Sequence, residues 1–179
     1  MKVLAISGSP RAHSSNAALL RAAAALAPAG MEVGFYEDQL ATLPVFNPDL
    51  DDEGAVAPPA VEELRTLLGA ADGVLISSPE YAHGAPGALK NALDWIVSSG
   101  ELEGKPVVLI VASPGGGHWA QASLTPTLEV MGARLVANLA LTFARTQIDA
   151  EGTLLDRDIA DRLQASLAAL AAAIRHPGV

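Results

Sequence analysis

The 179-residue sequence contains no cysteine. Disulfide bonds, thiol catalysis and metal sites with cysteine ligands are therefore excluded. Only four histidines are present, and they are scattered at positions 13, 83, 118 and 176 without the spacing of a metal site. The sequence thus predicts no bound metal.

Aromatic and basic residues are also scarce. Aromatic residues make up 4% of a chain in which half of the residues are hydrophobic, so we expect a core of Ala, Leu and Val rather than of stacked rings. Eleven basic residues against 20 acidic ones give a net charge of −9. Because a nucleic-acid backbone requires a basic surface, this balance argues against a nucleic-acid partner.

Long hydrophobic runs are missing as well. No apolar run reaches the roughly 18 residues that a membrane-spanning helix needs. The first ten residues, MKVLAISGSP, contain one lysine and a short strand-like run, which differs from a secretory leader. We therefore expect a cytoplasmic protein without a membrane partner. The length suits a single domain over residues 1–179, with no linker or internal repeat.

Short apolar segments alternate with helical patterns along the chain. The predicted strands, rich in β-branched residues or leucine, cover residues 2–7, 31–36, 73–77, 106–112 and 134–141. The predicted helices cover residues 15–27, 58–70, 86–98, 118–131 and 156–175. Near-continuous apolarity is typical of strands that are buried on both faces. The alternation therefore predicts an α/β fold in which a parallel sheet has helices on both sides.

The connection over residues 37–57 breaks this alternation. It contains two prolines and an acidic cluster, Asp49, Asp51, Asp52 and Glu53. A solvated surface excursion is the simpler interpretation, since connecting segments usually run over the surface. A cation site at the four acids is the alternative.

A first loop, GSPRAHSSN at residues 8–16, follows the first predicted strand. Ligands of open parallel sheets bind beyond the carboxyl ends of the strands, and the N-terminus of a helix attracts anions. Ser9, Ser14 and Asn16 add neutral donors, and Arg11 adds a planar fork that matches phosphate oxygens. The set predicts a bound monophosphate, although Ser14 alone could simply cap the helix and Arg11 could be a solvated surface residue. No Gly-Lys-Ser/Thr follows, which excludes a Walker loop.

A second loop begins the segment SSPEYAHGAPGALKNALDWI at residues 77–96. Its prolines and glycines fix a tight path on which backbone groups can approach a flat ligand closely. We expect Trp95 to pack in the protein or to contact a second subunit rather than a ligand. His83 is open to two interpretations, a solvated side chain or a direct role.

A third loop is SPGGGHWA at residues 113–120. Three consecutive glycines are costly in chain entropy, so a turn that must clear something bulky is a plausible reason for them. We expect His118 and Trp119 to pack at the start of the following helix.

These motifs resemble those of the NAD(P)H-dependent FMN reductase family of flavodoxin-like proteins, which includes quinone and chromate reductases. GSPRAHSSN is similar to the G-S-x-R-x-x-S-x-N signature of the family, SPEYAHGAPGALKNALDW to P-E-Y…P-G-x-L-K-N-A-x-D-W, and SPGGG to its glycine-rich third loop. LPVFNPDL, residues 43–50, resembles the loop after its second strand. The resemblance implies a flavodoxin-like three-layer sandwich with strand order 2-1-3-4-5, bound FMN, and NADPH or NADH as electron donor. It also implies a homodimer or homotetramer that reduces flavins, quinones or similar acceptors.

The resemblance further implies cofactor contacts for three groups of residues. Those that would hold the FMN phosphate are Ser9, Arg11, Ser14 and Asn16. Those that would run along the isoalloxazine ring are Pro79, Glu80, Tyr81 and Ala82, and those that would border its other side are Ser113, Gly115 and Gly116. No catalytic side chain is implied. The chain departs from the family at Ala82, His83 and Gly84, where many relatives have Asn-x-Ser.

We therefore predict an FMN-dependent NAD(P)H oxidoreductase that passes hydride from nicotinamide, through bound FMN, to a small acceptor. An FMN-binding electron carrier without NAD(P)H oxidation is one alternative, and a flavin-free interaction domain on the same fold is another. Arg11 favours the reductase, because electron-carrying flavodoxins typically build the phosphate loop from Thr, Ser and Gly.

Overall fold

The computed structural model describes residues 1–36, 39–52 and 54–177 and contains five strands that alternate with five helices. The strands are β1 Lys2–Ser7, β2 Glu32–Tyr36, β3 Gly73–Ser78, β4 Pro106–Ser113 and β5 Arg134–Thr142. The helices are α1 Ser15–Ala25, α2 Pro59–Ala70, α3 Gly87–Asp94, α4 His118–Val130 and α5 Arg157–Arg175.

All five strands are parallel and lie in the order β2-β1-β3-β4-β5, so the predicted flavodoxin-like fold is confirmed. The chain winds in opposite directions from β1 and from β3, and this reversal places a crevice at the carboxyl ends of the strands. Ser7 of β1 lies opposite Ser77 of β3, and Ser78 lies opposite Val111 of β4. The loops that follow β1, β3 and β4 therefore begin close to one another at the carboxyl edge of the sheet.

Two hydrophobic layers cover the sheet. Residues of α2, α3 and α4 pack on one face, and residues of α1 and α5 pack on the other. Every residue of β3 and β4 is buried, as their unbroken apolar sequences predict. Tyr36, at the end of β2, is also buried, and this burial, followed by the charge of Glu63, raises the pKa of its phenol to about 12.

Helix α3 is shorter than the sequence predicts, ending at Asp94 instead of residue 98. The carbonyl of Trp95 accepts hydrogen bonds from Nε and Nη2 of Arg65, which belongs to α2, at 3.2 and 2.5 Å. The Arg65 side chain thus occupies the Trp95 carbonyl oxygen, which would accept a backbone hydrogen bond if α3 continued for another turn. Helix α1 likewise ends at Ala25, two residues earlier than predicted.

The loop after β2 is fastened to α3 by two residues of the K-N-A-L-D-W segment. The carbonyl of Pro44 accepts hydrogen bonds from Nδ2 of Asn91 and from the indole of Trp95, at 2.9 and 2.8 Å. Oδ1 of Asn91 accepts from the Phe46 amide at 2.8 Å, and the rings of Phe46 and Trp95 meet edge to face with centroids 5.1 Å apart. We call these contacts, together with Arg65, the clasp.

Arg65 completes the clasp through Asp51. Its Nη2 lies 2.6 Å from Oδ1 of Asp51, and the hydroxyl of Ser98 donates to the other carboxylate oxygen. Burial acts to raise the pKa of Asp51, but the hydrogen bonds from Arg65 and Ser98 and the charge of Arg65 lower it below its usual value. Asp51 of the acidic cluster is thus paired, and no group of three or more potential metal ligands forms among the described residues. Glu53 of that cluster lies outside the described residues.

Candidate cofactor site

The three loops predicted from the sequence meet at the carboxyl edge of the sheet around a cavity of about 150 Å³. Eight of the eleven predicted contact residues line it, and they are Ser9, Arg11, Ser14, Asn16, Pro79, Glu80, Tyr81 and Ser113. Ser15, Ala112 and Pro114 complete the lining. The other three predicted residues, Ala82, Gly115 and Gly116, lie in the same loops but outside this lining.

Ser14 caps helix α1. Its Oγ accepts hydrogen bonds from the amides of Asn16 and Ala17, at 3.2 and 3.3 Å. The capping interpretation is therefore correct, and it is compatible with a second role because the hydroxyl hydrogen can still donate toward the cavity. Ser9 lies across from it, with its Oγ 3.2 Å from the Tyr81 hydroxyl, so the first loop touches the second.

Asn16 has a structural function that the sequence did not indicate. Its side-chain amide donates to the carbonyl of Ala112 at 3.1 Å, and its Oδ1 accepts from the hydroxyl of Ser77 at 2.7 Å. Only 1% of the residue is exposed. Asn16 therefore ties the start of α1 to β3 and β4, and this anchoring sets the position of the first loop.

Arg11 differs from the other polar residues of the cavity because it is exposed and unpaired. Within the part of the chain that the structure describes, its guanidinium has no hydrogen bond or ion pair. It lines the cavity next to the N-terminus of α1, where the helix dipole adds positive potential. In a chain with a net charge of −9, Arg11 thus places a cation beside the positive end of a helix.

The second loop contains a two-residue turn under backbone strain. Tyr81 and Gly84 exchange two backbone hydrogen bonds of 3.0 Å each, and the two residues between them, Ala82 and His83, have φ values of 48° and 59°. Left-handed geometry at both central positions is typical of the type I′ turn, which favours Asn and Gly. Ala and His are costly at these positions, so this turn is held by its surroundings.

Glu80 joins the second loop to the third. Its Oε2 accepts hydrogen bonds from the amides of Trp119 and Ala120, at 2.8 and 3.1 Å. It therefore caps α4, whose own N-cap residue, Gly117, has no side chain with which to do so. The other carboxylate oxygen lies 3.7 Å from Nδ1 of His83. The resemblance implies that Glu80 runs along the flat ring, and its carboxylate additionally connects the second and third loops.

The third loop needs glycine because of its own strand. Gly117 has a φ of 75°, and a Cβ placed there would lie 2.3 Å from Cγ1 of Val111 in β4. The glycine run therefore does clear something bulky at this position, and the close neighbour is a valine of the sheet itself. Apart from its chain neighbours, no heavy atom of the described residues lies within 4 Å of a Cβ built at Gly115, so that position is open.

Trp119 does not pack at the helix start as predicted. It is 61% exposed, and its ring meets the His83 imidazole edge to face, with centroids 5.6 Å apart and planes at 70°. His118, for which the same packing is expected, is exposed as well. Trp95, in contrast, is fully buried by the clasp, which confirms packing and excludes the subunit contact that we had considered.

The residues at this edge fit FMN. Two hydroxyls and an unpaired guanidinium converge at the N-terminus of a helix, which is a donor set for a phosphate dianion. The cavity is smaller than the roughly 300–1,000 Å³ of a pocket that encloses a drug-sized ligand. It therefore suits the phosphate end of the cofactor, and the flat ring system would lie along the second and third loops.

The fold is that of a flavodoxin-like protein whose cavity at the sheet edge fits a phosphate, and reductases are among the known proteins that it resembles. The sequence model of the family described as NADPH-dependent FMN reductase matches residues 1–147. An NAD(P)H-dependent FMN reductase of Pseudomonas aeruginosa, PA1204, is 37% identical over 176 residues, which cover 95% of this chain and 93% of that protein. A quinone reductase of Escherichia coli is 32% identical, with 94% of this chain and 93% of that protein covered.

A solved structure shows the same similarity. The flavoenzyme NAD(P)H:(acceptor) oxidoreductase FerB from Paracoccus denitrificans superposes with a TM-score of 0.85 at 29% identity, covering 99% of both chains. The chain belongs to the NADPH-dependent FMN reductase family. It is an oxidoreductase with FMN as cofactor and NAD(P)H as electron donor, which confirms the prediction. Among the described residues, no helix is long and apolar enough to cross a membrane.

Proposed function

We propose that this oxidoreductase reduces quinones or similar small planar acceptors with electrons from NAD(P)H. The observation that carries the proposal is the unpaired Arg11 facing the Ser9 and Ser14 hydroxyls in the cavity at the sheet edge. The similarity to a quinone reductase supports the choice of acceptor. The overall reaction balances as NAD(P)H, a proton and a quinone giving NAD(P)⁺ and a hydroquinone.

Each loop has a separate part in holding FMN. We assign the phosphate to Ser9, Arg11 and Ser14, with Asn16 fixing the loop that carries them. Bound FMN supplies the two-electron chemistry, since it can accept a hydride and pass the electrons on.

The ring system would lie along the backbone of the second loop. Pro79, Glu80, Tyr81 and Ala82 form that wall, and Ser113, Gly115 and Gly116 border the other side. The protein would thus orient the ring and leave space for nicotinamide and acceptor in turn.

We propose no general acid or base in the protein. Glu80 lines the cavity, and both of its carboxylate oxygens already face protein groups, two amides at the start of α4 and the His83 imidazole. The second proton of the hydroquinone would then come from water. A bell-shaped pH dependence of kcat that disappears in Glu80→Gln would contradict this assignment.

Three further points rest on the family resemblance. We propose that residues 1–179 form one FMN-binding domain and that the enzyme is a homodimer or homotetramer. Because Trp95 is buried within the chain, it does not form the subunit contact. We also propose a cytoplasmic location, where NAD(P)H is available. Light scattering that finds only monomers with full activity would contradict the oligomer.

The test of the proposed function begins with the colour of the purified protein. We expect a yellow protein, or one that becomes yellow when FMN is added, and it should oxidise NADH or NADPH when a quinone is present. A yellow protein that oxidises neither nicotinamide would instead be an electron carrier. A protein that stays colourless with added FMN would be a flavin-free interaction domain.

A further inference from the structure

Two aromatic side chains stand exposed beside the proposed cofactor site. The His83 side chain is 77% exposed, and Trp119 is 61% exposed although it is one of only two tryptophans in the chain. Their rings meet at 70° with centroids 5.6 Å apart, so they form an open corner rather than a closed stack. A further flat ring can stack its face on one of these two rings while its edge contacts the other.

Glu80 contacts both residues that form the corner. One carboxylate oxygen of Glu80 accepts a hydrogen bond from the Trp119 backbone amide, and the other lies 3.7 Å from Nδ1 of His83, so one residue contacts both residues of the corner. Because Glu80 also lines the cofactor cavity, the corner and the cavity share one support. The ring pair therefore lies at the rim of the site.

His83 occupies a strained position that a side chain normally avoids. Its φ of 59° belongs to the left-handed region, where glycine or asparagine would be adopted at less cost. Such strain clusters at functional sites, where the surrounding structure maintains it. The strain here keeps an imidazole next to Trp119.

We propose that His83 and Trp119 form a stacking platform for planar aromatic electron acceptors of the quinone class, in particular those with two fused rings. The inference rests on the proposed function and names the acceptor that this chain favours. A fused two-ring acceptor can cover one wall while its edge meets the other, whereas a compact non-planar acceptor gains nothing from the corner. The Glu80 carboxylate behind the corner favours a neutral acceptor over an anionic one.

The first experiment compares two acceptors in steady-state kinetics. With Trp119→Ala, we expect the KM for menadione, a neutral two-ring quinone, to rise roughly fivefold at unchanged kcat. The kcat/KM for ferricyanide, which is non-planar, should stay within about twofold. The matched control is Val130→Ala, which removes another exposed apolar side chain of α4, 83% exposed, and should change neither value. An unchanged KM for menadione, or an equal loss with both acceptors, would overturn the platform.

A second variant separates stacking from stability. His83→Gly removes the imidazole and relieves the left-handed strain, so we expect a higher melting temperature together with a higher KM for menadione. If His83 had a purely structural role, His83→Gly would lower the melting temperature and raise the KM for menadione. A higher melting temperature with an unchanged KM would remove His83 from the platform and contradict the proposal.

A binding measurement tests the platform without turnover. Calorimetric titration of menadione into the oxidised, FMN-loaded protein should show an affinity that falls roughly fivefold in Trp119→Ala and is largely restored in Trp119→Phe. If the wild-type protein binds menadione in this way but does not oxidise NAD(P)H, the proposed function fails and the platform stands. Equal affinity in wild type and Trp119→Ala would overturn the platform whatever the activity.

Light scattering of wild type and Trp119→Ala tests whether Trp119 contacts a second subunit. A second copy of the chain could lie on Trp119 instead of an acceptor. We expect the same oligomeric state for wild type and Trp119→Ala. A change of state in Trp119→Ala would show that the tryptophan is a subunit contact and would overturn the proposal.

Discussion

Two arginines show how differently this protein uses the same side chain. Arg65 is largely buried, bonds to the Trp95 carbonyl and pairs with Asp51 at 2.6 Å. Arg11 is exposed, lines a cavity, and has no partner among residues 1–36, 39–52 and 54–177. Arg65 belongs to the scaffold, whose polar groups satisfy one another. Arg11 belongs to the surface that we propose as the phosphate site, where its guanidinium lacks a partner among the described residues.

The same division runs through the family signature. Asn91 and Trp95 in the K-N-A-L-D-W segment do not face the cavity, because both hold the loop after β2 through the Pro44 carbonyl. Ser9 and Arg11 in the first loop line the cavity. The signature therefore combines residues that we propose to bind FMN with residues that keep the loops in place, and mutations should separate the two groups.

The largest expected effect is in the clasp. Trp95→Ala removes a fully buried indole, its hydrogen bond to Pro44 and its contact with Phe46. We expect the free energy of unfolding to fall by about 3–5 kcal/mol, measured by urea denaturation. The matched control is Trp119→Ala, where the same substitution at an exposed position should cost less than about 0.5 kcal/mol. Similar losses of unfolding free energy in Trp95→Ala and Trp119→Ala would contradict the distinction between scaffold and site.

A smaller effect is expected at Asp51, and it depends on pH. The pKa of this carboxyl is lowered in the folded protein, so its stabilisation is complete above the ordinary value of about 3.9 and is lost as the pH falls toward the folded pKa. Asp51→Asn should cost about 1–2 kcal/mol at pH 7. The difference in unfolding free energy between wild type and variant should narrow as the pH falls below about 3.9. A difference that stays constant over this range would argue against the ion pair.

The smallest expected effect is at Glu80, a scaffold residue inside the site. Glu80→Ala removes the cap of α4 and should lower the free energy of unfolding by about 1 kcal/mol. Glu80→Gln keeps an acceptor and should recover roughly half of that loss. Thermal or urea denaturation distinguishes the two variants. Equal stability of Glu80→Ala and wild type would show that the Trp119 and Ala120 amides do not depend on this carboxylate.

The strands of the sheet could be predicted because each one is encoded by a continuous local segment of the sequence. Buried parallel strands are continuous apolar runs, and the alternating helices allow few topologies, so all five strands were located to within about one residue. The three loops could be located for the same reason, since each directly follows a strand. The strand order itself came from the family resemblance.

The missed features are contacts between residues far apart in the chain. Asn16 bonds to Ala112, 96 residues away, and Glu80 bonds to Trp119, 39 residues away. No periodicity encodes such pairs, because they depend on where the fold brings the loops together. The early end of α3 has the same origin, since Arg65 of another helix takes the Trp95 carbonyl.

The most direct test of the central claim is a titration of FMN and riboflavin into the apoproteins of wild type and Arg11→Ala. Because charge-assisted bonds to a phosphate would be lost, we predict that FMN affinity falls by about one to two orders of magnitude, while riboflavin, which lacks the phosphate, binds both proteins equally. Arg11→Lys should recover only part of the FMN affinity, since a point charge cannot make the two-pronged contact. An equal loss for FMN and riboflavin would mean that Arg11 supports the shape of the loop and would contradict the phosphate site.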